Sequence, residues 1–306
     1  MHVRYGIDLG GTKIEIVALD ADNAVLHRHR APTPGGDYAG TIDAISALVA
    51  EADTQLSEFV AGTPASVGVG IPGTISPASG LVKNANSTCL IGKPFQADLE
   101  SALGRPVRLA NDANCFALSE ASDGSGKGFK SVFGVILGTG VGGGLVIGGA
   151  CVTGANAIGG EWGHNPLPWP DPDLKETPGP PCYCGLHGCI ETFLSGPGFA
   201  RDAALGADAW EVVRRAYAGD AAATSALERY CVRLARSLAT VINIADPDVI
   251  VLGGGLSKIS AMYDVVPRLW SAYVFSDTVE TKLLPPTHGD SSGVRGAAWL
   301  WPLDQA

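Results

Sequence analysis

An α/β protein built from two related halves is what the 306 residues predict, and three observations carry that expectation. Short apolar runs of strand length alternate with longer stretches of helical period, the pattern of sheets covered by helices. GIDLGGT, Gly6 to Thr12, can be laid on GVILGTG, Gly134 to Gly140, so that Gly6, Leu9 and Gly10 meet Gly134, Leu137 and Gly138. Each copy is an apolar strand running into small residues and then a second apolar strand, Ile14 to Leu19 and Gly144 to Ile147, which is a hairpin signature in both halves. The 41 glycines and 20 prolines are too many for a helical bundle and suit tight turns.

Between the copies, Tyr38 to Phe59 places Ile42, Ile45, Leu48, Val49, Ala52, Leu56 and Phe59 on one helical face. Ser66 to Gly73 reads as a buried strand, and PFQADLESAL, ending at Leu103, as a short helix. A strand from Pro106 to Ala110 runs into a helix from about Ala113, with Asn111 and Asp112 at the junction. After the second copy, the Pro-rich stretch Asn165 to Pro181 must be loop. Ala221 to Ala245 is a long helix with Leu227, Cys231, Leu234, Leu238 and Ile242 inward, stopping before Asp246 and Pro247. A strand from Val249 to Leu252 then meets a triple glycine and a helix start at GLS, and SSGVRGAAWLWP closes the chain as a helix.

Composition excludes several classes. With 46% hydrophobic and 17% charged residues the chain is globular, neither disordered nor collagen-like. A net charge of -10 without a basic run argues against gripping nucleic acid phosphates. Nothing between Lys130 and Glu161 is charged, but glycines break that stretch into runs too short to cross a bilayer, so no membrane is expected. The N-terminus lacks a signal-peptide core, which makes the cytoplasm the expected compartment.

Three glycine loops carry candidate chemistry. In DLGGTK, Asp8 stands at a strand end, Gly10 and Gly11 let backbone N–H groups converge on an anion, and Thr12 and Lys13 add donors and charge. Asp8 could hold Mg2+ through water. The second copy repeats the arrangement at Gly138, Thr139 and Gly140, and two such loops across a cleft could cradle a triphosphate. Gly253, Gly254 and Gly255 leave room for a base or ribose. None of the loops has Walker or dinucleotide spacing. His164, then seventeen residues, then Cys182, Cys184 and Cys189 in CYCGLHGC make a closed set of one imidazole and three thiolates, suited to structural Zn2+; His187 is a weaker ligand candidate.

The loops and the repeat together resemble the actin, hexokinase and heat-shock ATPase superfamily, a duplicated ribonuclease H-like fold with a hinged cleft. The signature GH…CxCGxxGCxE with DLGGTK, NDANC and GTGVGGG is similar, over essentially the whole chain, to the ROK sugar kinases. That resemblance implies an ATP-dependent hexose kinase needing Mg2+ and carrying structural zinc. It makes Asp112 the general base, has Asn86 and Asn111 bind sugar hydroxyls, and completes the sugar site with Glu161, His164 and Glu191. His164 would then hold zinc with one nitrogen and offer the other to the sugar. Taken alone, Asp112 before a helix could instead be an N-cap. Domains of 1–111 with 293–306, and of 112–292, are expected, and homodimers are common in the family. ROK proteins also include sugar-responsive repressors with a helix-turn-helix ahead of the kinase-like part, for which DLGGTK at Asp8 leaves no room. EWGHNPLPW, NSTCLIGKPF and HGDSSGVRGAAWLWP look most like bacterial fructokinases that also accept mannose, so D-fructose is the expected substrate. N-acetylglucosamine kinase, sharing NDANCFALSEA and the knuckle, or glucokinase is the alternative.

Overall fold

Arg4–Leu9 (β1) is buried along almost its whole length, as a central strand covered on both faces must be. In the computed structural model, which describes residues 2–60, 62–85 and 87–302, it lies in the middle of a five-stranded sheet. Lys13–Leu19 (β2) pairs antiparallel with β1, and Val25–Pro32 (β3) antiparallel with β2 at one edge. Ser66–Ile71 (β4) is parallel to β1, and Val107–Asn111 (β5) parallel to β4 at the other edge. Ser131–Leu137 (β6), Val141–Ile147 (β7), Ala150–Cys151 (β8), Val249–Gly253 (β9) and Lys282–Leu284 (β10) form a second sheet in the order β8-β7-β6-β9-β10. It repeats the first strand for strand and direction for direction.

The weak sequence repeat thus has a structural basis, and its glycines explain why it survives. Helix Asp112–Ser122 lies on the second sheet, and the C-terminal helix Ser292–Ala298 returns to lie on the first. A Cβ on Gly6 would come within 2.0 Å of the Val294 carbonyl oxygen, and one on Gly134 within 2.7 Å of Ala117 Cβ. The aligned glycines therefore sit at matching places, each under the helix that crosses its sheet. The two helices also pack on each other, so closely that a Cβ on Gly296 would fall 1.6 Å from the Cys115 carbonyl oxygen.

We propose the division into 1–111 with 293–306 and 112–292, supported by two cores. One gathers Tyr5, Ile7, Ile14, Ile45, Val67 and Phe95; the other gathers Val135, Phe193, Leu234, Leu238 and Trp270.

Local departures from the expected elements have physical causes. Asp37 caps helix Tyr38–Gln55, which stops where Leu56 leaves helical geometry (φ -109°, ψ 22°); a separate turn, Ser57–Val60, follows and leaves Phe59 exposed. Asp220 caps Ala221–Ala245, and Asp246 ends it in a left-handed conformation before Pro247. Asn165 to Pro181 is loop apart from a 3-10 turn at Pro172–Leu174, but it is anchored. Its Glu176 is fully buried between Arg233 and Arg236 of the long helix. The half-exposed strand β3, the three-residue β10 and the helices Gly196–Ala203, Ala209–Tyr217 and Ala261–Trp270, only eight to ten residues long, are not named in the sequence reading.

Candidate active site

Strand β5 ends at Asn111 and the next helix starts at Asp112, which places both residues on the wall of one cavity. The cap is Asn111, not Asp112: Asn111 Oδ1 accepts from the Ala113 N–H at 2.9 Å, and its Nδ2 donates to the Gly73 carbonyl at 3.2 Å. Asp112 is left in the first turn, its Oδ1 accepting from the same Ala113 N–H at 2.8 Å. Burial pushes the Asp112 carboxyl above the ordinary range; the Ala113 N–H opposes that, and the negative charge of Glu161 adds to it.

Three cavities meet along this cleft. One of about 300 Å³ is lined by Asn111, Asp112, Gly138, Thr139, Gly140, Glu161, His164 and Glu191, so the structure brings together the expected sugar residues except Asn86. Asn86 lies outside the described residues, whereas Asn84, in a left-handed conformation (φ 56°), lines the cavity. Tyr183, which motif reasoning passed over as a spacer, lines it too. A second cavity of about 530 Å³ shares Asp112 and holds Asp8, Gly10, Gly11 and Thr33. Burial, then the charges of Asp112 and Glu15, raise the Asp8 carboxyl to about 6 against the pull of Lys13. The third, about 500 Å³, shares Gly138 and Thr139 and adds Gly255, Leu256, Pro197 and Trp210.

The glycines divide their tasks more finely than the motifs suggest. Gly10 N–H donates to the Lys13 carbonyl and Gly138 N–H to the Gly140 carbonyl, so both first amides close their own turns and are not free for an anion. Thr12 and Lys13 do not line any of the three cavities; the Thr12 carbonyl accepts from the Thr33 N–H. Of the triple glycine, Gly255 is the member that lines one of these three cavities. A Cβ on Gly253 would strike the Phe116 ring at 2.5 Å, and Gly254, at φ 77°, packs on the Leu137 backbone. Glu191 also has a structural bond, since its Oε2 accepts from the Val141 N–H at 2.9 Å and holds the second loop in place.

His164, Cys182, Cys184 and Cys189 each turn a ligand atom to one point, all within 4.8 Å of one another. Cys184 Sγ is 3.6 Å from Cys189 Sγ, and Cys182 Sγ is 3.6 Å from His164 Nδ1. A tetrahedral zinc with ordinary bond lengths needs about 3.8 Å between sulfurs and about 3.6 Å between sulfur and nitrogen, so the set fits that ion. The other nitrogen of His164 does not point freely at the sugar cavity. His164 Nε2 lies 3.0 Å from the Tyr183 hydroxyl, with the two rings edge to face. Among the described residues no helix is long and apolar enough to cross a membrane.

A model of the ROK family matches residues 4–303. The N-acetyl-D-glucosamine kinase of Yersinia pseudotuberculosis is 40% identical over 302 residues, spanning 97% of this chain and 98% of that protein. The ROK hexokinase of Thermus thermophilus superposes with a TM-score of 0.83 at 31% identity, over 97% of both chains. A ROK family glucokinase from Streptomyces griseus, solved in complex with glucose and AMPPNP, superposes with a TM-score of 0.76 at 27% identity, over 97% of this chain and 98% of that one.

Proposed function

We propose, for a chain that belongs to the ROK family of sugar kinases, that it transfers the γ-phosphoryl group of ATP to the primary hydroxyl of N-acetyl-D-glucosamine. The observation that carries the kinase chemistry is the place of Asp112, a carboxylate open to the cleft and shared by the cavity of the sugar residues and the cavity of the first glycine loop. The sugar oxygen forms a bond to the γ-phosphorus, the bond from that phosphorus to the bridging oxygen of ADP breaks, and the hydroxyl proton passes to Asp112. A carboxyl raised by burial is a stronger base than an ordinary aspartate, which suits this step. Asn111 and Glu161 orient the hydroxyls, and His164 joins them once a sugar hydroxyl replaces the Tyr183 hydroxyl at its Nε2, while amides of the two loops hold the phosphates, Gly11 and Thr139 replacing the first glycines whose N–H groups are used within the turns. Asp8 would hold Mg2+ through water, and that ion supplies charge neutralisation on the phosphates. Zinc at His164, Cys182, Cys184 and Cys189 would fix the segment that carries Glu161 and Glu191.

The relatives favour N-acetylglucosamine over the fructose expected from NPLPW. Fructose stays as the second reading on one observation: the Tyr183 phenol stands at the cavity wall against His164 and takes room that a bulky substituent would need. A coupled assay of ADP release with N-acetylglucosamine, glucose, mannose and fructose tests both. The proposal expects the highest kcat/KM for N-acetylglucosamine; a highest value for fructose reverses the substrate and keeps the kinase. Sugar binding without turnover of any of the four would point to a sensor instead.

A further inference from the structure

Outside the cleft, the edge strand β3 and the helix Tyr38–Gln55 bring a second set of ligand-type side chains together. His27 and His29 are two residues apart on a strand, so the pleat puts both imidazoles on one face. Glu51, on the helix covering that face, meets them: one ligand atom from each of the three lies within 4.8 Å of the other two. His29 Nδ1 is 2.7 Å from both carboxylate oxygens of Glu51, and the two imidazoles stand edge to face with centroids 6.4 Å apart. His27 Nε2 is buried and has no hydrogen-bond partner among the described residues. An unpaired buried nitrogen is unfavourable, and a ligand would relieve it. Arg28 and Arg30 alternate onto the opposite face, where both bind Glu15, so their charges are turned away from a cation at this place.

We propose that His27, His29 and Glu51 bind one divalent transition-metal ion, with water completing its shell. Two imidazoles and one carboxylate suit Zn2+, Co2+ or Ni2+ and not Ca2+ or Mg2+, which prefer all-oxygen sets. The site lies apart from the thiolate knuckle and does not depend on the kinase reading. Its position gives the ion leverage on the cleft. Strand β3 runs directly into Thr33, Pro34, Gly35 and Gly36, and the helix begins beside Thr41, all of which line the cavity that holds Asp8. An ion clipping strand to helix would stiffen that wall.

The full chain, stripped of metal, is titrated with Co2+ and followed by absorption and elemental analysis. Cobalt at the knuckle carries an intense thiolate charge-transfer band; cobalt on imidazole and carboxylate does not. The wild type should take up one cobalt per chain more than a double variant, His27→Gln with His29→Gln, and the difference spectrum should lack the thiolate band. Glu51→Gln, at a half-exposed position, should weaken the same ion on the order of 10- to 100-fold while the thiolate band persists. Equal uptake by wild type and double variant overturns the proposal, as does a difference spectrum that carries the thiolate band. Should the double variant fail to fold, unchanged cobalt affinity in Glu51→Gln overturns it alone.

Discussion

Asp8 and Asp112 line one cavity, and the raising of their carboxyls has different consequences. Asp112→Asn keeps the size of the side chain, and because Asn111 supplies the helix cap, the substitution leaves the cap intact. Turnover should fall on the order of 10²- to 10⁴-fold while sugar affinity, read by calorimetry, and thermal stability change little. Since the Asp112 carboxyl is raised, the wild-type kcat/KM should fall on acidification at a higher pH than an ordinary aspartate would set, and the variant should lose that limb. Asp8 is raised from 3.8 to about 6, so between those values the folded chain keeps a proton that the unfolded chain has released. Stability is then fullest below the unfolded value and is lost as pH rises through about 6, by roughly 3 kcal/mol at neutrality. Asp8→Asn should therefore stabilise the magnesium-free protein at pH 7 by up to about 3 kcal/mol in urea unfolding, and depress turnover. A variant no more stable than wild type would show that Asp8 is not strained by its surroundings.

At the scale of elements, the loop between His164 and Cys182 is tied to the long helix by salt bridges that the cysteine motif does not contain. Burial alone would raise the Glu176 carboxyl, but the Asp171 N–H and the Arg233 and Arg236 guanidinium groups outweigh it and hold it below the usual range. A lowered carboxyl stabilises above its unfolded value, and that contribution disappears as acid protonates it through the lower folded value. Glu176→Gln takes the shared counter-charge from two buried arginines, of which Arg233 keeps Asp202 at 2.9 Å, and should remove up to about 3–5 kcal/mol at pH 7. Melting temperatures measured against pH check this: the gap between wild type and variant should close in acid, and a gap independent of pH would rule out the charge as its source. The Glu176 partnership was hidden because it joins a loop to a helix that are far apart in the chain, whereas the cysteine spacing is local and could be read directly.

For the whole molecule, the contact between helices Asp112–Ser122 and Ser292–Ala298 joins the two sheets. Gly296→Ala would set a methyl group on the Cys115 backbone, at 1.6 Å from its oxygen and 2.4 Å from its carbon. No rotamer relieves an overlap with backbone, so the helices must separate. A loss of at least about 1–3 kcal/mol is expected in thermal or urea unfolding, together with a raised KM for sugar and ATP as the halves change their angle. An unchanged melting temperature would mean that the halves do not need this approach.

Composition and local pattern by themselves determined the class of the protein: alternating elements, the duplicated strand-loop-strand, the cluster of His164 with three cysteines and the Asn111–Asp112 junction all lie within short stretches, and hydrophobic period and residue spacing are local properties. Only the tertiary structure decided which amides of the loops are free, that Asn111 and not Asp112 is the cap, that Gly253 serves packing while Gly255 meets a cavity, and that Tyr183 answers His164. Those outcomes depend on which distant segment arrives at a given atom. Desolvation then raises the carboxyls of Asp8 and Asp112, because the cost of charging a carboxylate comes from everything that surrounds it and not from its neighbours in the chain.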